Sequence, residues 1–202
     1  MELNSRVTGP GNQATAMEST TPQLALAMRH HQLGQLDTAE RLYREIVNAD
    51  PGHADALHLL GVARHQQRDT SGAVDYISRA IQVDGSMAIF HSNLGAAYQA
   101  LGDVDEAVKC FRDALRISPA CVDAWSNLAA VLQGAGRKEE AIAAYRELLT
   151  LVPDDERIRV TLAALLAELG RPDEANTAPE TANGAMETSL AVSRFVEGSK
   201  RG

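Results

Sequence analysis

Aromatic residues are scarce. One Trp, four Tyr and three Phe make up 4% of the 202 residues, although 45% are hydrophobic. The apolar content is therefore mostly Ala, Leu, Val and Ile. That composition suits closely packed helices and suits an aromatic-rich β-sandwich poorly. Cysteine is nearly absent too. Cys110 and Cys121 are too few for a disulfide framework and are not spaced as CxxC, which fits a reducing, cytoplasmic setting. No apolar run approaches the roughly 18 residues of a membrane span, so no membrane insertion is expected. The stretch from Met1 to Pro22 is polar and lacks the basic-then-apolar layout of a signal peptide. Positive charge is the minority sign: 19 Lys and Arg stand against 27 Asp and Glu, a net charge of −8. Such a chain repels a phosphate backbone overall, so nucleic acid is not the expected partner.

What is present is a repeat. Ala39, Ala73, Ala107, Ala141 and Ala175 are spaced 34 apart, and Leu26, Leu60, Leu94, Leu128 and Leu162 keep the same step. The residue after each Leu is small: Ala27, Gly61, Gly95, Ala129 and Ala163. A second glycine column holds Gly34, Gly102, Gly136 and Gly170, with Arg68 as its one departure. The unit closes on Pro51, Pro119 and Pro153, with Gly85 in the remaining place. Each unit reads as two helices, giving an all-α chain. In the third, Phe90, Leu94, Ala97, Tyr98 and Leu101 recur at helical spacing, Gly102 ends the helix, and a second helix runs from about Val104 to Ile117. One such hairpin is too thin to bury both faces and must stack on a neighbour. The small residues are expected to let the two helices approach, Gly95 facing Ala107.

This pattern resembles the tetratricopeptide repeat, whose signature is W-x2-L-G-x2-Y, then A-x3-F, then P. The third unit reads His91-x2-Leu94-Gly95-x2-Tyr98, Ala107-x3-Phe111, Pro119. The fourth reads Trp125-x2-Leu128-Ala129-x2-Leu132, Ala141-x3-Tyr145, Pro153. The resemblance implies a right-handed α-solenoid of helix-turn-helix hairpins. Four units are expected at 20–53, 54–87, 88–121 and 122–155, together 20–155. A capping helix or partial fifth unit is expected at 156–175. Residues 1–19 read as a disordered segment, with Thr21 as N-cap and Pro22 as first helical residue. Residues 176–202 read as a flexible tail. Within it, Met186, Leu190 and Val196 are spaced for a short amphipathic turn.

In the family the first helices line a concave groove. The resemblance places Leu24, Met28, His31 and Gln32 there from the first unit, and Asp55, His58, Val62, His65 and Gln66 from the second. The third gives Ile89, Ser92, Asn93, Ala96 and Gln99. The fourth gives Asp123, Ser126, Asn127, Ala130 and Gln133. The places where chaperone-tail receptors of this family present Lys, Arg and Asn hold Leu24, Met28, Leu59, Ser92 and Ala96, so a carboxylate clamp is excluded. Asn93 and Asn127 stand at one place in adjacent units. There they are similar to the asparagine row of the superhelical repeats in O-linked N-acetylglucosamine transferases, whose amides can bind a peptide backbone. Ala25, Leu59 and Thr161 interrupt the row.

No catalytic constellation emerges and no cofactor is expected. Gly134-Ala135-Gly136 ends a helix and lacks a preceding strand. Glu139-Glu140 and Asp103, Asp105, Glu106 fall at helix starts, where acids favour the dipole. His30, His31, His53, His58, His65 and His91 are not spaced as a metal set, and His91, in the family's Trp place, reads as an interface filler. The expected function is a non-enzymatic adaptor that binds a peptide or protein segment in the groove. The alternative is the substrate-recruiting part of a glycosyltransferase or other group-transfer enzyme, since the 27 residues from 176 onward are too few for a catalytic domain. Self-association through the second helices or the unfinished fifth unit is a third reading.

Overall fold

The computed structural model describes residues 11–176, and side chains within 22–174. Among the described residues there are nine α-helices and no strand. They are α1 Gly11–Gln32, α2 Leu36–Ala49, α3 Ala54–Gln66, α4 Thr70–Val83, α5 Ala88–Leu101, α6 Val104–Ile117, α7 Val122–Gly134, α8 Lys138–Leu151 and α9 Glu156–Glu168, followed by a 3-10 turn at Pro172–Asn176. The chain divides after Pro119 into two compact units. In the first, α1–α2, α3–α4 and α5–α6 form hairpins; α2 packs on α3, α4 packs on α5, and the first helices α1, α3 and α5 touch in sequence. In the second, α7 and α8 form a hairpin, α9 packs on α8, and the 3-10 turn packs on α9. The amphipathic reading around Met186 lies outside the described residues.

Helix ends follow the repeat columns. Gly34, Gly102, Gly136 and Gly170 all have φ between 72° and 80°. That left-handed step lets the chain reverse between the helices of a hairpin. Arg68 occupies the same column with φ 68°, so the turn between α3 and α4 keeps its shape and the Arg backbone carries the strain. Two second helices start on carboxylates: for α4, Asp69 accepts from the Gly72 amide at 3.0 Å, and for α6, Asp103 accepts from the Glu106 amide at 3.4 Å. In the second unit, Asp155 does the same for α9.

Two departures from the repeat pattern support each other. Gly85 replaces the closing proline, and His91 replaces the tryptophan of α5. The His91 Nε2 donates to the Gly85 carbonyl at 3.1 Å, while the Asp84 carboxylate accepts from the Ser86 amide and hydroxyl at 2.9 and 2.6 Å. Hydrogen bonds thus hold a link that proline holds elsewhere. Arg64, in the place of Tyr98, works similarly. It bridges Glu40 at 2.9 Å and Asp69 at 2.8 Å, so an ion-pair network joins the first two hairpins.

The close helix approach involves a large side chain as well as the expected small one. A Cβ on Gly95 meets the Phe111 ring at 2.8–3.0 Å. A Cβ on Gly61 meets Ile77 Cγ1 at 2.6 Å and the backbone of Ala73 and Ile77 at 3.1–3.2 Å. The partner is the large residue four places after the invariant Ala, because its side chain leans back over the preceding turn. The first helix differs from expectation. Its described part runs from Gly11 through Pro22, where an N-cap at Thr21 was expected; the expected disorder of residues 1–10 lies outside the described residues. Gln13 to Glu18 are mostly good helix formers, and one missing backbone donor at Pro22 does not end the helix. Leu26 is 47% exposed, whereas Leu60, Leu94, Leu128 and Leu162 are buried; α1 is the first described helix, and α3 and α5 each receive the preceding second helix.

Gly95→Ala is expected to lower unfolding stability by about 1–3 kcal/mol, because the Phe111 ring must move. Arg68→Gly is expected to raise it by about 1 kcal/mol through relief of the left-handed strain. Urea denaturation followed by circular dichroism checks both; an unchanged midpoint in either variant contradicts the corresponding contact.

Candidate functional site

In the first unit α1, α3 and α5 touch in sequence, and the face expected to line the groove lies on them. Residues one repeat apart stand at like places on neighbouring helices, so side chains about 35 positions apart meet. His31 Nε2 lies 3.0 Å from Gln66 Oε1, and Asn93 Nδ2 lies 2.7 Å from His58 Nε2. An amide oxygen only accepts and an amide nitrogen only donates. His31 therefore carries its proton on Nε2, and His58 carries its own on Nδ1. His31 Nδ1 lies 3.2 Å from the Tyr43 hydroxyl. Tyr43 is fully buried, and burial pushes its hydroxyl pKa up to about 12, so it stays a donor. The His31 and Tyr43 rings meet edge-on at 5.8 Å.

His58 is 7% exposed and stacks on Phe90 with centroids 4.4 Å apart. Burial brings its pKa down to about 4, against the opposing charge of Asp55. His65 Nδ1 lies 3.4 Å from the Thr70 hydroxyl. His58 is thus a neutral ring whose Nε2 accepts from the Asn93 amide. Cys110 is buried behind α5, and burial pushes its thiol up to about 11, which makes it unreactive.

The residues nominated from sequence fall into three groups. His58 and Ser92, at 7% and 5% exposure, are inside the fold. As buried side chains they offer no ligand contact, whereas Ser126, at the same repeat place in the second unit, is exposed. His31, Gln66 and Asn93 are tied to neighbours, and His65 lies beside Thr70. Met28 at 39%, Ile89 at 48%, Gln66 and Gln99 are exposed, and Leu24, Val62 and Ala96 are half-buried. The surface this unit offers therefore mixes exposed Met28 and Ile89 with exposed Gln32, Asp55, Gln66 and Gln99. In the second unit Ser126 and Gln133 are exposed and Asn127 is half-buried. Gln133 Oε1 accepts from the Tyr145 hydroxyl at 2.7 Å, the counterpart of the His31–Tyr43 contact. With its amide nitrogen on His58, Asn93 is a structural link, and the two-member asparagine row loses one rung.

Tyr43, Phe90 and Thr70 were missed as partners of this face. A signal existed for the first: Tyr43 and Tyr145 carry a hydroxyl where Ile77 and Phe111 carry none, and a buried hydroxyl needs a partner. Among the described residues no group of His, Cys, Asp and Glu is arranged to hold a metal ion, and no helix is long and apolar enough to cross a membrane.

A family model described as tetratricopeptide repeat matches residues 24–87 and 93–156, and a second of that description matches residues 132–182. No match is found among curated proteins. Among solved structures, a crystal structure of MamA protein is similar, with a TM-score of 0.71 over 78% of this chain and 86% of that one, at 23% identity. YrrB, described as having an unusual peptide-binding site, has a TM-score of 0.67 at 15% identity over 84% and 89% of the two chains. The pilF protein of Pseudomonas aeruginosa has 0.69 at 20% over 80% and 73%. At these identities the likeness shows the fold alone.

Neutral His58 is stabilising at and above its unfolded pKa of 6.5. That contribution is expected to fade as pH drops from 6.5 through about 4, since the unfolded chain takes up the proton first. Melting temperature against pH is expected to fall less steeply over this window in His58→Gln, which keeps an acceptor for Asn93 and does not titrate. Parallel curves for the two proteins contradict the assignment.

Proposed function

Because the chain belongs to the tetratricopeptide repeat family, whose members generally serve as protein-interaction modules, we propose that it is a non-enzymatic adaptor. It binds an extended segment of a partner protein along the inner face of its first helices. The observation that carries this reading is the division of labour on that face. The polar side chains His31, Gln66, His58 and Asn93 bond across neighbouring helices. Met28 and Ile89 stand exposed beside the half-buried Leu24, Val62 and Ala96. A wall fixed by its own hydrogen bonds binds without a large ordering cost, and exposed apolar side chains on it supply contact area. YrrB, with the same fold, is described as having a peptide-binding site, which is consistent with such a use.

The asparagine row motivated a glycosyltransferase-recruiting role. Asn93 bonded to His58 commits one donor of that row to the fold, so the adaptor reading is the one we carry forward.

Panning a displayed peptide library on the whole chain supplies a probe. Ile89→Glu and Met28→Glu are expected to weaken the selected peptide by about tenfold each, because a charge at a contact must be desolvated unpaired. Lys109→Glu, on an exposed site of α6, is expected to leave affinity unchanged. Equal affinity across all of these proteins contradicts an inner-face site.

A further inference from the structure

The inner face of the first unit has a one-sided charge. Of the residues assigned to it on α1, α3 and α5, Asp55 alone carries a formal charge, and no Lys or Arg is among them. Asp55 is exposed in the first turn of α3. It stands one repeat before Ile89, so a carboxylate and an exposed aliphatic side chain occupy like places on adjacent helices. His58, nearest in the same helix, does not offset this charge, because burial holds its ring neutral and its Nε2 is engaged by Asn93.

Resting on the inner-face reading above, we infer that the segment bound there is apolar and basic: aliphatic side chains against Met28, Val62 and Ile89, with one Lys or Arg placed on Asp55. A carboxylate-rich segment meets no cation on this face and one anion, which costs affinity. A purely polar basic segment fills none of the apolar surface. Neighbouring packed helices lie about 9 Å apart, so three first helices span about 18 Å, the reach of about six extended residues. A single basic residue within such a stretch is enough to reach Asp55.

The test uses the full chain and fluorescein-labelled peptides of about eight residues: one rich in Leu and Ile with two Lys, the same peptide with Gln in place of Lys, and the same with Glu. Anisotropy titration is expected to rank them Lys, Gln, Glu from tightest to weakest. Asp55→Asn is expected to remove the advantage of the Lys peptide, about threefold for an exposed pair, while leaving the Gln peptide unchanged. Asp55→Lys is expected to make the Glu peptide bind more tightly than the Lys peptide. Added salt is expected to shrink the Lys advantage on the native chain. Equal binding of the Lys and Glu peptides, or a ranking that Asp55→Lys does not alter, overturns the basic-segment inference while the inner-face reading survives. If none of the three binds the native chain, both fall. Circular dichroism and melting of the Asp55 variants, expected to match the native chain, keep misfolding out of the comparison.

Discussion

Two helices of a hairpin can come this close only where one of them carries almost no side chain at the crossing. Gly61 against Ile77 and Gly95 against Phe111 meet that condition, since a Cβ at either place falls within 3.0 Å of the facing side chain. The remaining geometry follows. With the second helix tight against the first, the large residue at its middle is buried, and the opposite side of the first helix is left to meet its neighbour. In the outer-numbered hairpins the small residue is Ala27 or Ala129, and the facing column then holds Tyr43 or Tyr145 rather than Ile77 or Phe111. The two columns vary together, as a packed pair must.

Each buried tyrosine brings a hydroxyl that has to be satisfied, and in both hairpins it is satisfied from the first helix, by His31 in one and Gln133 in the other. In the first unit that choice spreads. His31 spends its second nitrogen on Gln66, and one repeat later His58 takes the amide of Asn93. Hydrogen bonds that begin as a consequence of core packing end as cross-links between neighbouring first helices. They also tie up His31, His58 and Asn93, which leaves the aliphatic side chains, Asp55 and the exposed Gln32 and Gln99 as the chemistry the face presents.

The helices were legible in the sequence wherever punctuation was strong. The bounds of α6 are those read from Asp103, Val104 and Ile117, and the glycine column marks left-handed turns at four places. Arg68 shows the limit of residue-type reasoning: the column, not the glycine, fixes the backbone there. The start of α1 was misread because a proline inside a helix is the exception to the rule that reads it as a boundary. The inner face was legible as a set of places but not as a set of contacts. Whether Ser92 and His58 are covered, and whether Asn93 is free, depends on the offset between adjacent first helices. No single unit encodes that offset; it arises when two units stack.

The central claim is that the first helices of the first unit form the ligand surface. Hydrogen–deuterium exchange of the full chain, with and without a saturating peptide selected by panning, measures this most directly. The account predicts slowed exchange in α1, α3 and α5 and little change in α2, α4 and α6. Protection confined to the second helices, with the first helices unchanged, would contradict it.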